Sequence, residues 1–401
     1  MLSCSSNFTR DDFIGGKDLG YAFKAYSVIT ARMLYALNWF DIAPGLIYIS
    51  SDLRLKVVDL GIVTTSFYLG LAAFQLPGGA LASRLGAKRV AFIGLMMLGL
   101  GGILSGFSFN LVELTLSRFL AGSGSALFFS PGLTILREIS PPESYNYQVG
   151  LYNGAFNLGG GIGAFGWVFV DKAIGWRAGL VLGGSMVILA AVENSVALIG
   201  EREEKAVGKQ LATALKGVIR NKLLWILPVA TIVSMFAETV GGQFLVYYAE
   251  HYLDIEASQA GLIDGLFLIL GFAGGIVGGK IFSMKNAGNW FAYLVLIFTG
   301  LSFIGISFAR NFLVLAILSS TTGFFLVSGF TVLYIESVKF IKDKPTVPFA
   351  LSFVNGLSIA FGSGSPYLFT FLAYRVNYFS GWMILGIMGI LFIPLLHLTR
   401  R

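Results

Sequence analysis

The chain is short of charge. Lys, Arg, Asp and Glu make up 12% of its 401 residues, against roughly 25% in a soluble protein. A soluble chain of this length would fold as two or three domains, each needing a charged skin, so composition excludes a soluble enzyme. A content of 56% hydrophobic residues excludes disorder. The single cysteine, Cys4, precludes an intrachain disulfide. Two histidines, His251 and His397, with one cysteine cannot assemble a typical zinc, haem or iron–sulfur ligand set. No metal and no cofactor is expected. The first 24 residues are polar and charged, with no apolar core ahead of a cleavage site, so no signal peptide is read. Asn7-Phe8-Thr9 matches a glycosylation sequon but falls on the expected cytoplasmic side, where it carries no meaning.

What the chain has instead is apolar length. A membrane-spanning helix takes about 20 mostly apolar residues. Twelve such runs occur, at 25–49, 60–82, 88–108, 112–136, 147–170, 177–199, 223–248, 258–281, 289–309, 312–336, 349–373 and 379–398. Barrel strands would be about 10 residues long with strict alternation, and these runs are too long and too uniform for that. The expected fold is an all-α integral membrane protein with twelve transmembrane helices. Its parts are a cytoplasmic tail (1–24), a six-helix bundle (25–199), a cytoplasmic linker (200–222) and a second six-helix bundle (223–401).

The basic residues give an orientation. With the N-terminus inside, twenty of the 28 Lys and Arg fall in inside segments and six outside, while Arg32 and Arg118 lie within spans. Cytoplasmic loops carry that excess, so both termini are expected in the cytoplasm of a multi-pass protein of the cell membrane. In this setting the net charge of +7 belongs to those loops and does not indicate nucleic acid. The two halves also repeat. Asn153-Gly154 recurs as Asn355-Gly356, and Gly175-Trp176 recurs as Gly381-Trp382. Duplicated units that rock about a central site are a recurrent transporter signature.

The loop after span two reads Gly79-Ala80-Leu81-Ala82-Ser83-Arg84-Leu85-Gly86-Ala87-Lys88-Arg89. It resembles the major facilitator superfamily signature G-x-x-x-D-R-x-G-R-K/R, with Ser83 in place of the usual Asp and Ala87 in place of Arg. Span four reads Arg118 through Gly122, Gly124 and Ala126, which resembles that family's R-x-x-x-G-x-G-x-A. The resemblance extends over all twelve spans and the central loop. It implies two pseudo-symmetric six-helix bundles, alternating access, no enzymatic activity, a small-molecule substrate, a monomeric unit, and a cavity lined by spans one, four, seven and ten. It also implies that Gly79, Ser83, Arg84, Gly86, Lys88 and Arg89 form a cytoplasmic gating loop. Arg84 can hold a helix C-terminus by charge–dipole attraction, while Ser83 lacks the charge of the usual relay. A worn copy of the loop runs from Gly275 to Lys280.

Charges inside spans are expensive and usually functional. Asp41, Arg118 and Glu238 are the main candidates for proton coupling and the substrate cavity, with Arg32, Asn38, Asp264 and Gln243 behind them. Asp41 and Arg118 lie at similar depth and can pair across the cavity, either as a proton-linked switch or as a permanent ion pair that orders span one. Asp264 and Glu193 lie nearer span ends, as interfacial carboxylates do. Arg32 is nine residues from Asp41, half a turn around a regular helix, so the two face opposite ways. Gly150, Gly154, Gly159, Gly163, Gly271, Gly275 and Gly279 form small-xxx-small pairs suited to close helix packing. Gly161 to Gly166 fits G-x-G-x-x-G, and Gly274 to Lys280 fits G-x-x-x-x-G-K. Both lie inside apolar spans without the strand–loop–helix setting of a phosphate site.

The reading that follows is a secondary transporter, proton-coupled and most in keeping with symport of a small organic metabolite. The run Phe67-Tyr68-Leu69-Gly70 to Gln75-Leu76-Pro77-Gly78-Gly79 looks like the family's organic anion:cation symporters, which favours an anion with Arg118 as counter-charge. The alternatives are a proton-coupled exporter of drug-like or lipidic amphiphiles, and, in another class, a channel or a transporter-like receptor.

Overall fold

The computed structural model describes residues 16–200, 216–282, 288–341 and 347–400. The tail before residue 16, with Cys4 and the sequon, and linker residues 201–215 lie outside these. Among the described residues the chain runs as twelve helical passes with no strand. Spans two to six are Val57–Leu85, Ala87–Gly106, Leu111–Ile139, Pro142–Ile174 and Trp176–Ala197. Spans eight, nine and ten are Ala257–Phe282, Gly288–Ile306 and Phe312–Lys339, and span twelve is Tyr378–Phe392 continued by the 3-10 turns Ile393–Arg400. Seven helices are long and apolar enough to cross a membrane unaided, and Leu223–Ala230 with Ile232–Leu253, bent by 51°, makes an eighth as the broken span seven.

The interrupted spans have identifiable causes. Span one is Gly16–Trp39 followed by Ile42–Asp52. Pro44 has no N–H to offer the Phe40 carbonyl, and its ring crowds that carbonyl, so the helix breaks at Phe40-Asp41. Span eleven is Val347–Gly362 followed by Ser365–Arg375, and Pro366 stands in the same relation to Gly362. Span seven gives way at Thr231 and again in a π-turn at Ala237–Gly241. The twin glycines Gly241-Gly242 close that turn, and the Thr239 hydroxyl is 2.6 Å from that of Ser365 at the break in span eleven. Asparagine caps start spans four, ten and twelve: Asn110 accepts from Glu113 N, Asn311 from Val314 N and Asn377 from Ser380 N.

Duplication is visible in the backbone contacts. A Cβ on Gly122 of span four would collide with the Phe67 carbonyl of span two, and one on Gly70 with the Phe119 carbonyl. About two hundred residues on, a Cβ on Gly323 of span ten would collide with the Phe267 carbonyl of span eight, and one on Gly274 with the Phe324 carbonyl. Each half is therefore keyed by the same reciprocal glycine contact. The Gly122 and Gly124 of the span-four motif are explained this way, since Gly124 meets the Gly94 carbonyl and Leu98 N of span three.

The halves touch mainly through span five on span eight and span eleven on span two. The Asn-Gly repeats sit at these two places: Gly154 faces the Phe272 ring and Gly356 faces the Gln75 side chain. Of the other packing glycines, Gly159 and Gly163 seat span five on the Met33 and Leu37 carbonyls of span one, and Gly271 and Gly275 seat span eight on Val327. Gly150 has nothing within 4 Å of a built Cβ, and Gly279 meets Thr331 only at 3.8 Å. At neither position does packing require glycine, which corrects the expectation from spacing.

Gly122→Leu and Gly323→Leu are expected to cost more than the about 1–3 kcal/mol of ordinary overpacking, because backbone cannot move aside as a side chain does. Gly150→Ala is expected to be neutral. Thermal unfolding of the detergent-purified variants checks this, and equal melting temperatures for Gly122→Leu and Gly150→Ala would contradict it.

Candidate functional site

A cavity of about 380 Å³ lies between the halves. It is lined from spans one, two, four and five on one side and seven, eight, ten and eleven on the other. Of the wall residues, Gly150, Asn153, Gly275, Thr331 and Asn355 lie on the span halves nearest the face that carries the chain termini. Towards the opposite face the halves are closed. There Tyr367 N donates to Thr65 Oγ1 at 3.1 Å, Gly61 lies against Thr370 and the Pro366 carbonyl, and Gly261 lies against Val168 and the Ala164 carbonyl.

Two charged side chains line the cavity: Arg32 from span one and Glu238 from the π-turn of span seven. The Arg32 guanidinium carbon lies 4.4 Å from the Tyr35 ring centre, 4.5 Å from Phe156, 4.9 Å from Phe129 and 5.1 Å from Tyr152. Ring faces attract a cation, more so when it is desolvated, and this aromatic cage from spans one, four and five holds the guanidinium in place. Its Nε and Nη1 are nonetheless buried without a hydrogen-bond partner. Rings cannot accept those N–H groups as an oxygen does, and an arginine presents five donors in a planar fork. Glu238 makes no ion pair with it among the described residues. The π-turn inserts one extra residue and carries Glu238 to the cavity wall, as such turns often do at functional sites.

The expected pairing of Asp41 and Arg118 is present, but not across the cavity. Arg118 Nη1 donates to Asp41 Oδ1 at 3.2 Å, with both side chains buried, and Asn38 Nδ2 donates to Asp41 Oδ2. The group lies within the first half. A Cβ on Gly183 of span six would meet Asp41, and one on Gly102 of span three would meet Asn38. The Phe67 ring covers the guanidinium at 4.9 Å, and Trp39, which does line the cavity, packs on Phe67. Asp41, half a turn from Arg32, faces into the first half, while Arg32 faces the cavity. Arg118 therefore does not offer its charge to the cavity, and Asp41 and Asn38 do not line it.

Asp264 was expected near an interface, but it is fully buried, with neither carboxylate oxygen hydrogen-bonded. Gln243 is buried off the cavity with an unpartnered Nε2. Glu193 is exposed on the flank of span six. In the loop after span two, Gly86 has φ +96° and ends the helix. Ser83 Oγ donates to the Ala80 carbonyl, Arg84 lies exposed in the last turn of span two, and Lys88 and Arg89 lie in the first turn of span three. Gly79 has open space around it.

Among the cavity residues the sequence did not single out as a site are Tyr35, Trp39, Asn153, Tyr334 and Asn355. Tyr334 Oη donates to Asn355 Oδ1 at 2.8 Å. Two signals were available. Arg32, Tyr35 and Trp39 follow at i, i+3 and i+7, one helix face, and the repeated asparagines Asn153 and Asn355 both reach the cavity.

Comparison with known proteins completes the picture. The family model of the Major Facilitator Superfamily matches residues 28–363. The chain belongs to this superfamily. It is therefore a multi-pass membrane transporter of small molecules and not an enzyme. The chain is similar to a nitrite extrusion protein of Bacillus subtilis (strain 168), with 24% identity over 88% of this chain and 86% of that one. It is similar also to a probable nitrate transporter, NarT, of Staphylococcus haemolyticus (strain JCSC1435), with 28% identity over 62% and 65%. A third relative is the quinolone resistance protein NorA of Staphylococcus aureus (strain MSSA476), with 24% identity over 80% and 79%. Among solved structures, a bacterial homologue of the human lysosomal transporter Spinster, inward-facing and occupied, superposes with a TM-score of 0.72 at 14% identity, covering 94% of this chain and 97% of that one.

Breaking a buried ion pair on one side leaves an uncompensated charge and costs about 3–5 kcal/mol, whereas removing both charges can be neutral. Arg118→Leu is thus expected to unfold at a markedly lower temperature than the parent. Arg118→Leu combined with Asp41→Asn is expected to recover most of the loss. Failure of the double variant to exceed the single one in a thermal melt would refute a purely pairwise role.

Proposed function

We propose that this transporter couples protons to the symport of a small organic anion by alternating access, with Arg32 as the counter-charge and Glu238 as the proton site. The observation that carries the reading is the caged Arg32, whose unpartnered N–H donors line the cavity. A buried unpaired donor is a standing cost of about 1–3 kcal/mol, more when charged, and an anion relieves it. Two of the relatives are described as handling nitrate or nitrite, both anions. The walls around Arg32 are mostly rings and aliphatic chains, including Phe267, Phe272, Leu326 and Phe330. A cavity of about 380 Å³ so lined suits a carboxylate with an apolar body better than a bare inorganic ion.

Coupling follows from electrostatics in a site of low dielectric. An anion on Arg32 and an ionised Glu238 would repel each other strongly in such surroundings. Protonation of Glu238 removes that repulsion, so anion and proton favour each other's binding. Apparent affinity is then greatest at low pH and falls as Glu238 ionises. Two rigid units, 25–199 and 223–401, would rock about the site. The excess of basic residues near the face that carries the termini favours placing it in the cytoplasm. The protein would act as a monomer in the cell membrane, since each half is keyed by its own contacts.

A second reading, export of a drug-like amphiphile, draws on the similarity to NorA and on the apolar walls. A channel would equilibrate its solute and not accumulate it.

The test is uptake into proteoliposomes of aromatic and aliphatic carboxylates under pH gradients of either sign. Accumulation driven by a proton gradient is expected. Arg32→Gln is expected to raise the half-saturating concentration about 10- to 100-fold, the equivalent of losing one charge-assisted hydrogen bond. Glu238→Gln is expected to flatten the pH dependence of binding. Unaltered carboxylate transport by Arg32→Gln would overturn the assignment, and accumulation of cationic amphiphiles alone would favour the second reading.

A further inference from the structure

Gln75 of span two lies in the cavity wall at 1% exposure, and its Nε2 has no hydrogen-bond partner. A buried amide donor left without an acceptor is a standing cost. Packing does not account for it. The stem of the side chain lies against Gly356 of span eleven, where a built Cβ would meet Gln75 Cγ at 3.3 Å, and an aliphatic residue could make that contact as well. Asn355, next to Gly356 in the chain, also lines the cavity. Tyr334 Oη donates to Asn355 Oδ1 at 2.8 Å, which fixes that amide and leaves its Nδ2 as a donor. Two neutral amides, one from each half, thus meet where spans two and eleven adjoin.

The depth of Gln75 relative to Arg32 can be read from one contact. Trp39 of span one packs on Phe67 of span two, ring centres 4.9 Å apart. Arg32 lies seven residues from Trp39, and Gln75 lies eight residues from Phe67. The two spans run in opposite directions, so both residues stand about 10–12 Å from that contact, towards the face with the termini. They share a depth but not a wall. The straight part of span one packs on spans five and six, whereas span two packs on spans four and eleven. With its carboxylate at Arg32, a solute must reach across the cavity to meet Gln75. An oxygen on the carbon next to the carboxylate stays on the Arg32 side, while one at the far end of the body can meet the amide. A second carboxylate is disfavoured there. Apart from Arg32 the cavity wall carries no basic residue among the described ones, and an unpaired buried charge costs far more than a missing hydrogen bond.

We propose that Gln75, with Asn355 beside it, forms a second subsite for a hydroxyl or carbonyl oxygen at the far end of the solute, so that the preferred substrates are monocarboxylates carrying a remote neutral oxygen. Gln75 Nε2 donates to that oxygen, and the Gln75 amide carbonyl can accept from a hydroxyl. Arg32 supplies an attraction common to all anions, and Gln75 supplies the choice among them. An acid without the remote oxygen leaves Nε2 unpaired and forfeits one neutral hydrogen bond, a discrimination of about tenfold. The carboxylate end of this inference rests on the reading of Arg32 as the anion site, whereas the oxygen subsite stands on Gln75.

Calorimetric titration of the full chain in lipid nanodiscs with matched ligands tests it. The pairs are phenylpropanoate with its para-hydroxy derivative and pentanoate with its omega-hydroxy derivative. The alpha-hydroxy isomer of pentanoate is the positional control, and pentanamide with its omega-hydroxy derivative is the uncharged pair. The para- or omega-hydroxyl is expected to tighten binding about tenfold, and the alpha-hydroxyl to give no such gain. Gln75→Met, which nearly keeps the volume and removes the amide, is expected to bring that ratio close to one, and Gln75→Leu serves if Gln75→Met does not fold. Arg32→Gln is expected to weaken both members of each carboxylate pair and to keep their ratio. Equal binding of the two members of each pair by the parent, or a hydroxyl preference that survives in Gln75→Met, would overturn the proposal. If no carboxylate binds while the uncharged pair still shows a preference that depends on Gln75, the anion reading fails and the oxygen subsite stands. If the uncharged pair shows none either, both fail.

Discussion

Charge within a bilayer must be paired, wetted or neutralised, because hydrocarbon offers it nothing. Three places in this chain meet that demand in two ways. Asp41 and Arg118 pair inside the first half, with Asn38 completing the carboxylate's bonds. Arg32 and Glu238 face a cavity between the halves. The arrangement of helices follows the same demand. Span one serves the first solution, since Asp41 lies half a turn from the side that Arg32 faces. The π-turn in span seven serves the second, since it brings Glu238 to the wall.

Much of the architecture was legible in the sequence. Twelve apolar runs, a bias of basic residues and a repeat of Asn-Gly and Gly-Trp sufficed for an all-α protein with two related bundles. These signals are long or repeated, and hydrophobic length is a direct imprint of bilayer thickness. The glycines of span four were legible as a family pattern, but their cause was not. Backbone contact with the Phe67 carbonyl and with Leu98 N belongs to neighbouring spans, which a single-span reading cannot place.

The site was legible in part. Arg32, Asp41, Arg118 and Glu238 stood out because charge is scarce. Their ranking failed because depth along a span says nothing about which side a residue faces. Arg118 looked like the substrate's counter-charge, yet a ring from span two covers it. Arg32 looked secondary, because the four rings that cage it come from three spans. Asp264 looked interfacial by its distance from the span end, yet it is fully buried. Asn153 and Asn355 stand out in the sequence only as a repeat, although both line the cavity.

The reciprocal glycine contacts have a mechanical consequence. Where backbone touches backbone, spans two and four, and likewise eight and ten, have no slack and move as stiff plates. Compliance is left to the places where the helices are already interrupted, at Phe40-Asp41, at Thr231 with Ala237–Gly241, and at Ser363-Gly364. These lie in spans one, seven and eleven, which border the cavity. Flexure is thereby confined to a few joints around the solute, while the plates that carry them stay rigid enough to transmit a small local displacement to both faces of the membrane.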